Sequence, residues 1–298
     1  MLISTQTAGF AHKFGDHNAI ALLAGIGYEA LDYSMFGIMN SDHPINKADF
    51  REYAKSLKKT ADEYGIVFNQ SHAPFPSYIQ HPNQEQINLG YNETIVHSIV
   101  RAMEVTSILG GGIIVVHPIT LSDASYGEQK KANMDFYNAL LPYCKKYGVK
   151  IALENMWGWA EATKIVLPAA CSTASEFVDY LDSLDADWFC ACLDVGHAEM
   201  QGTGSVSAIE MISSLGGKRL KSVHIHDNDK IGDLHTLPFT QKISWYEIAK
   251  ALKNIGYSGD FTFEADSFIE RFPQELYISA SKLMLEVGWY FVTKHELL

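Results

Sequence analysis

The sequence predicts a single (β/α)8 TIM barrel over residues 1–298, and three observations carry that expectation. Short apolar or β-branched runs alternate with longer amphipathic stretches from one end of the chain to the other, the pattern of repeated βα units around a parallel sheet. The 298 residues, 47% of them hydrophobic, are enough for one large core in the size range of α/β barrels. In unit after unit, the apolar run stops at a His, an Asp or a Glu.

Taken in order, the strands are expected at residues 2–4, 28–32, 66–69 and 113–116 in the first half, and at 150–153, 189–193, 220–225 and 260–263 in the second. Helix starts are marked by an N-cap residue with Glu three positions on: Asp49 with Glu52, Thr173 with Glu176 and Ser244 with Glu247. Gly65, Gly148 and Gly256 stand where a helix should end and turn into the next strand. Gly110-Gly111-Gly112 precedes a strand, the reverse of a strand-loop-helix phosphate cradle, and reads as a helix-ending turn. Gly202-Thr203-Gly204 precedes a helix but has no nearby Lys or Arg. No Pro-, Gly- or Ser-rich linker divides the chain, so one domain is expected.

A formal charge of -12 disfavours nucleic acid as a partner, since phosphodiester backbones are gathered by clustered Lys and Arg. The dense basic pairs, Lys58-Lys59, Lys130-Lys131 and Lys145-Lys146, fall on segments that read as solvated outer helices. The start has no basic region followed by an apolar one, and no stretch approaches ~18 apolar residues. A cytoplasmic protein without membrane attachment is the expectation. Cys144, Cys171, Cys190 and Cys192 lack CxxC spacing, and the last two lie in an apolar run where buried thiols are expected.

The polar residues at the strand ends are the informative feature. Strand three ends in Ser71-His72-Ala73-Pro74, strand four in His117-Pro118 and strand five in Glu154-Asn155. Strand six ends in Asp194-Val195-Gly196-His197, strand seven in His224-Ile225-His226-Asp227 and strand eight in Glu264-Ala265-Asp266. A barrel brings all these ends to one face. Glu154, Asp194 and Glu264 held together would repel one another and be costly to desolvate unless a cation or protons neutralised them. A divalent metal bound by carboxylate oxygens and an imidazole nitrogen resolves the conflict, and the mixed donor set suits Zn2+, Mn2+, Co2+ or Fe2+ better than Ca2+. No nucleotide cofactor is expected.

With the Leu193-Asp194-Val195-Gly196-His197, Glu154-Asn155, His224-x-His226-Asp227 and Phe263-Glu264 segments, essentially the whole chain resembles the xylose-isomerase-like barrel superfamily of sugar epimerases, inosose dehydratases and endonuclease IV. The resemblance to the sugar epimerases and isomerases implies one metal held by Glu154, Asp194, His224 and Glu264, with His226 as an alternative imidazole. The resemblance to endonuclease IV implies further ligands at His72, His117, His197, Asp233 and His235, although the 226–238 segment lacks that enzyme's longer basic loop. The activity so implied is a divalent-metal-dependent sugar isomerase or epimerase, with a dehydratase or a zinc phosphodiesterase acting on abasic DNA as alternatives.

Such an isomerase or epimerase removes a proton beside a carbonyl, stabilises an enediolate and returns the proton elsewhere. Glu154 and Glu264, three strands apart, are the expected acid/base pair, with Asp194 and His224 as metal anchors. His72, His117 and His197 are candidates for sugar hydroxyls, a second metal or supporting hydrogen bonds. Asp233 and His235 lie in a loop that can fold back over the site. Trp157 and Trp159 are candidates for an aromatic wall against a sugar ring, and Phe10, His12 and Arg271 for the pocket rim. Lys13, Lys230 and Arg271 are the main cations near strand ends, so an unphosphorylated sugar, polyol or keto acid is favoured over a sugar phosphate. The aromatic stretch Trp289, Tyr290 and Phe291 is expected to pack on the barrel or on a second copy in a homo-oligomer.

Overall fold

A computed structural model of the chain describes residues 1–36, 42–78, 85–200 and 207–294, with the backbone alone for 85–91 and 294. Gly202-Thr203-Gly204 lies outside the described residues. Eight parallel strands form the sheet: β1 (Ile3–Gln6), β2 (Ala30–Ser34), β3 (Val67–His72), β4 (Ile113–Val116), β5 (Lys150–Glu154), then β8 (Phe189–Asp194), β9 (Leu220–His224) and β10 (Phe261–Phe263). β10 pairs with β1, and the circle closes where Ile225 bridges Phe263, its N–H donating to Thr262 O at 2.9 Å while Glu264 N–H donates to Ile225 O at 3.2 Å. The expected (β/α)8 barrel is therefore the observed one, and among the described residues closure leaves the barrel sheet itself without an open edge.

Each βα unit forms for local reasons. The run Ile113-Ile114-Val115-Val116 is β-branched throughout and almost wholly buried, as a strand covered on both faces requires. The helix Phe50–Tyr64 puts Phe50, Ala54, Leu57 and Ala61 on its buried face at three- and four-residue spacing. Gly65, Gly148 and Gly256 all adopt positive φ, the left-handed turn that ends a helix without a Cβ clash. Leu109 is likewise followed by Gly110 at φ 85°, which confirms a helix-ending turn before β4. Of the expected N-caps only Thr173 accepts a bond, from Glu176 N–H; Asp49 and Ser244 make none. Ser125 and Glu128, by contrast, form a complete reciprocal capping box at the start of Tyr126–Tyr147.

The main core fills the space between barrel and helices, while a smaller cluster of Val115, Ala152, Cys190 and Cys192 packs inside the barrel. All four cysteines are free and buried. Phe291 is fully buried and stacks on Phe239 at 5.1 Å, so the C-terminal aromatics seal the barrel wall. Several of the paired lysines form ion pairs on outer helices, as with Lys58–Asp62 and Lys130–Asp179. No helix among the described residues is long and apolar enough to cross a membrane.

Two loops depart from the simplest unit. Between β5 and β8 the chain folds into an antiparallel hairpin, β6 (Trp157–Ala160) with β7 (Ile165–Pro168). After β9, the buried Asp227 organises the next turn: its backbone pairs with Thr236 and its carboxylate accepts N–H groups from Asn228, Gln241 and Ile243 at 2.9–3.1 Å.

Candidate metal centre

The carboxyl end of the barrel gathers the four residues expected there. Glu154 ends β5, Asp194 ends β8, His224 ends β9 opposite Asp194 in register, and Glu264 follows β10. One potential donor atom from each lies within 4.8 Å of the other three, and all four residues are buried. His224 Nδ1 is 2.9 Å from both Glu154 Oε1 and Glu264 Oε2. Glu154 Oε2 turns the other way, 2.9 Å from His117 Nε2 and 3.4 Å from His72 Nε2, yet has no hydrogen bond of good geometry although it is buried.

A second group stands beside the first. Asp233 Oδ2 lies 3.0 Å from His235 Nε2 and 3.4 Å from His197 Nε2, and Trp157 Nε1 donates to it at 3.3 Å. His226 Nε2 meets both oxygens of Asp194 at 3.0 and 3.1 Å, and its ring stacks on His235 at 4.0 Å. The Asp194 carboxylate also caps the short helix Val195–Glu199 by accepting His197 N–H at 2.6 Å. Asn155 ties the two strand ends together, donating to Asp194 O and accepting Asp194 N–H.

The electrostatics follow from burial and contact. Burial raises the Glu154 carboxyl, but the His224 and His117 imidazoles overturn that and hold it well below the usual carboxylate range. Burial likewise works to lower His235, and the hydrogen bond and charge of Asp233 reverse it, to about 10. Asp266, on the cavity wall, is pushed up to about 7 by burial and by the charges of Glu264 and Glu270. At His197 burial works to lower the imidazole, but the charges of Asp194 and Asp233 overturn it and hold the ring well above its usual range, whereas at His117 burial wins and holds it below.

The donor chemistry fits a divalent cation. Three carboxylates and an imidazole converge, and two buried carboxylate oxygens, Glu154 Oε2 and Asp233 Oδ1 in the adjoining group, have imidazoles nearby but accept no hydrogen bond among the described residues.

Comparison with known proteins places the chain on this evidence. The family description that matches it, xylose isomerase-like TIM barrel, spans residues 20–286. The chain belongs to the xylose isomerase-like TIM-barrel family. Within the curated proteins it is 26% identical over 213 residues to the uncharacterized protein MJ1311 of Methanocaldococcus jannaschii, covering 70% of this chain and 68% of that one. Among solved structures it is similar to a D-tagatose 3-epimerase-like protein, with TM-score 0.73, 21% identity and 99% of each chain covered. An L-ribulose 3-epimerase superposes with TM-score 0.72 at 16% identity, over 99% of this chain and 97% of the other. At these identities the structures speak for the barrel.

The barrel mouth holds a cavity of about 460 Å3 that reaches the quartet at Glu154 and Glu264. His72, His117, Glu154, Trp157, His197, Asp233, His235 and Glu264 line it, so most of the residues singled out from the sequence come together there. Three expected rim residues do not. His12 is exposed in the last turn of Ala8–Phe14 and Phe10 points into the core against Phe14 and Tyr277. Arg271 is exposed at the end of the helix Asp266–Glu270. Trp159 is carried outward by the hairpin, since two strand residues advance the chain by about 6–7 Å; its indole donates to Glu161. Lys230 is paired with the buried Glu199 at 2.9 Å.

Other cavity residues escaped the sequence reading. Gln6 contacts Glu264 Oε1 through its side-chain amide, and Phe36, Phe75 and Met156 supply an apolar wall, with Phe75 stacked on His117 at 4.7 Å. The residue pair Phe75-Pro76, directly after His72 and Pro74, was the available signal for that wall.

Proposed function

We propose that the chain is a divalent-metal-dependent isomerase or epimerase of sugars or sugar derivatives that moves a proton on the carbon beside a carbonyl. The observation that carries this reading is the buried group of Glu154, Asp194, His224 and Glu264 at the floor of an open cavity with an aromatic wall. The epimerases that share the barrel support the substrate class.

Glu154, Asp194, His224 and Glu264 would hold the cation, which when bound supplies Lewis-acid stabilisation of negative charge on a carbonyl oxygen and its neighbouring hydroxyl. Glu154 and Glu264, on strands apart around the rim, take the proton and return it. Asp194 and His224 anchor. Phe36, Phe75 and Trp157 exclude water and cover the apolar face of a sugar ring. His117 and His197 face the cavity as hydrogen-bonding groups for hydroxyls. No Lys or Arg is among the described residues that line the cavity, and stretches 37–41, 79–84 and 201–206 contain none, which supports an unphosphorylated substrate.

The assembly of His197, His226, Asp233 and His235, with His72 and His117 at Glu154, supports a second reading, a multinuclear zinc phosphodiesterase on abasic DNA. Metal content separates the two: about one ion per chain, with isomerisation of a free ketose, upholds the sugar reading. Three zinc ions with nicking of abasic DNA would replace it.

A further inference from the structure

Below the quartet, toward the barrel interior, His224 turns its other ring nitrogen to a buried carboxylate. His224 Nε2 lies 3.4 Å from Asp32 Oδ2, and Gln70 Nε2 donates to that same oxygen at 2.8 Å. The two nitrogens are 3.1 Å apart, and the ring tautomer decides what passes between them: with Nε2 protonated both face Asp32 Oδ2 as donors, and with Nδ1 protonated Gln70 donates to Nε2. The Gln70 amide is itself oriented by Ser222 Oγ, which donates to Gln70 Oε1. Asp32, Gln70, Ser222 and His224 are all buried, and they come from β2, β3 and β9.

The strand register is shaped for this contact. β2 and β3 run in step to Leu31 opposite Phe68; a bulge then passes over Asn69 and sets Asp32 opposite Gln70. Bulges of this kind re-aim side chains and collect beside active sites. A carboxylate inside a barrel is also expensive: the position is normally filled by a branched apolar chain, and an ion there is costly to desolvate unless it is paired. Among the described residues Asp32 Oδ1 has no hydrogen-bond partner, so Oδ2, with the Gln70 amide and the His224 ring beside it, carries the contacts that offset that cost.

An imidazole that turns a lone pair to a cation through one nitrogen carries its hydrogen on the other. In His224 the nitrogen beside Glu154 and Glu264 is Nδ1 and the nitrogen beside Asp32 is Nε2. We propose that Asp32 is a positioning residue of this centre: by accepting Nε2–H it fixes the ring and leaves Nδ1 facing the cation, while Gln70 and Ser222 hold Asp32 in place. The inference rests on the cation reading of the quartet given above. Removing an outer hydrogen-bond partner of a metal-binding histidine weakens the metal by about 10–100-fold, because ring orientation and ligand basicity are both lost.

The test titrates the chelator-stripped chain with Zn2+ or Mn2+ against a competing chromophoric chelator, for the wild type, Asp32→Asn and Ser222→Ala, with far-ultraviolet circular dichroism as the folding control and 15N signals of the His224 ring as a direct readout. The expected result is a dissociation constant roughly 10–100-fold weaker in Asp32→Asn and a smaller shift in the same direction in Ser222→Ala. The loaded wild type should show a protonated Nε2, and Asp32→Asn a displaced Nε2 signal. If Asp32→Asn does not fold, Ser222→Ala carries the test, and an unchanged constant there overturns the proposal. A folded Asp32→Asn that binds within twofold of the wild type overturns it as well. A wild type that binds neither ion refutes the underlying cation reading instead, so the two failures are told apart.

Discussion

Glu154 meets three imidazoles, from His72, His117 and His224, across its two carboxylate oxygens, and it belongs to two of the three ligand groups at the barrel mouth. Its charge is what the site is built around, so Glu154→Gln, which keeps shape and removes charge, should lower turnover by about 10^2–10^4-fold with a circular dichroism spectrum like that of the wild type. Glu264→Gln should do the same; near-normal turnover in both would remove the acid/base assignment. Gly196 is a second single-residue test. A Cβ there would stand 1.9 Å from His226 Cε1, so Gly196→Ala must push the ring off Asp194. It should cost about 1–3 kcal/mol, read from urea unfolding, as overpacked sites do. At this scale the quartet was legible because each member halts an apolar run. Asp32, Gln70 and Gln6 were not, because a polar residue inside a strand reads as solvent-facing until barrel closure turns that face inward.

At the level of elements, the loop after β9 brings Asp233 and His235 to the site. His235 adopts φ 41°, in a region few non-glycine residues occupy, and is held by bonds to Glu264 O at 2.8 Å and Asp233 Oδ2 at 3.0 Å. Its imidazole value rises from 6.5 to about 10 on folding, so its contribution is complete below pH 6.5 and is lost as pH climbs toward 10. Asp233 is held well below 3.8, so its share is present above that value and lost on acidification beneath it. For the metal-free protein the urea midpoint should therefore fall between pH 6.5 and 10, and Asp233→Asn should flatten that slope. Equal slopes would show that the pair does not couple to folding. Caps give a sharper contrast: Ser125→Ala should cost about 1 kcal/mol, and Ser244→Ala little, since only Ser125 makes its bond. The sequence pattern Ser-x-x-Glu is shared by both, which shows why a cap cannot be told from spacing alone. The hairpin of β6 and β7 was hidden for a related reason, its Trp-Gly-Trp run reading as a loop beyond a finished strand.

For the whole molecule, the barrel was readable because eight apolar runs and their intervening helices need only alternate, whereas the cavity depends on which loops fold over which strand ends. That dependence explains why His12, Trp159 and Arg271 were expected at the pocket and stand away from it. On the proposed reading the centre is also an element of global stability: a cation would offset the repulsion among its carboxylates, and binding at 100-fold above Kd would add about 2.7 kcal/mol to the folded state. Saturating Mn2+, Co2+ or Zn2+ should raise Tm by several degrees, and a chelator should reverse it. The most direct test of the central claim is solvent exchange: the metal-loaded chain is incubated in D2O with a panel of free ketoses and inososes, and proton spectra are followed. Deuterium should enter the carbon beside the carbonyl of at least one substrate, and chelation or Glu154→Gln should stop it. Absence of exchange in every member of the panel, from a chain that binds its metal and nicks abasic DNA, would contradict the account.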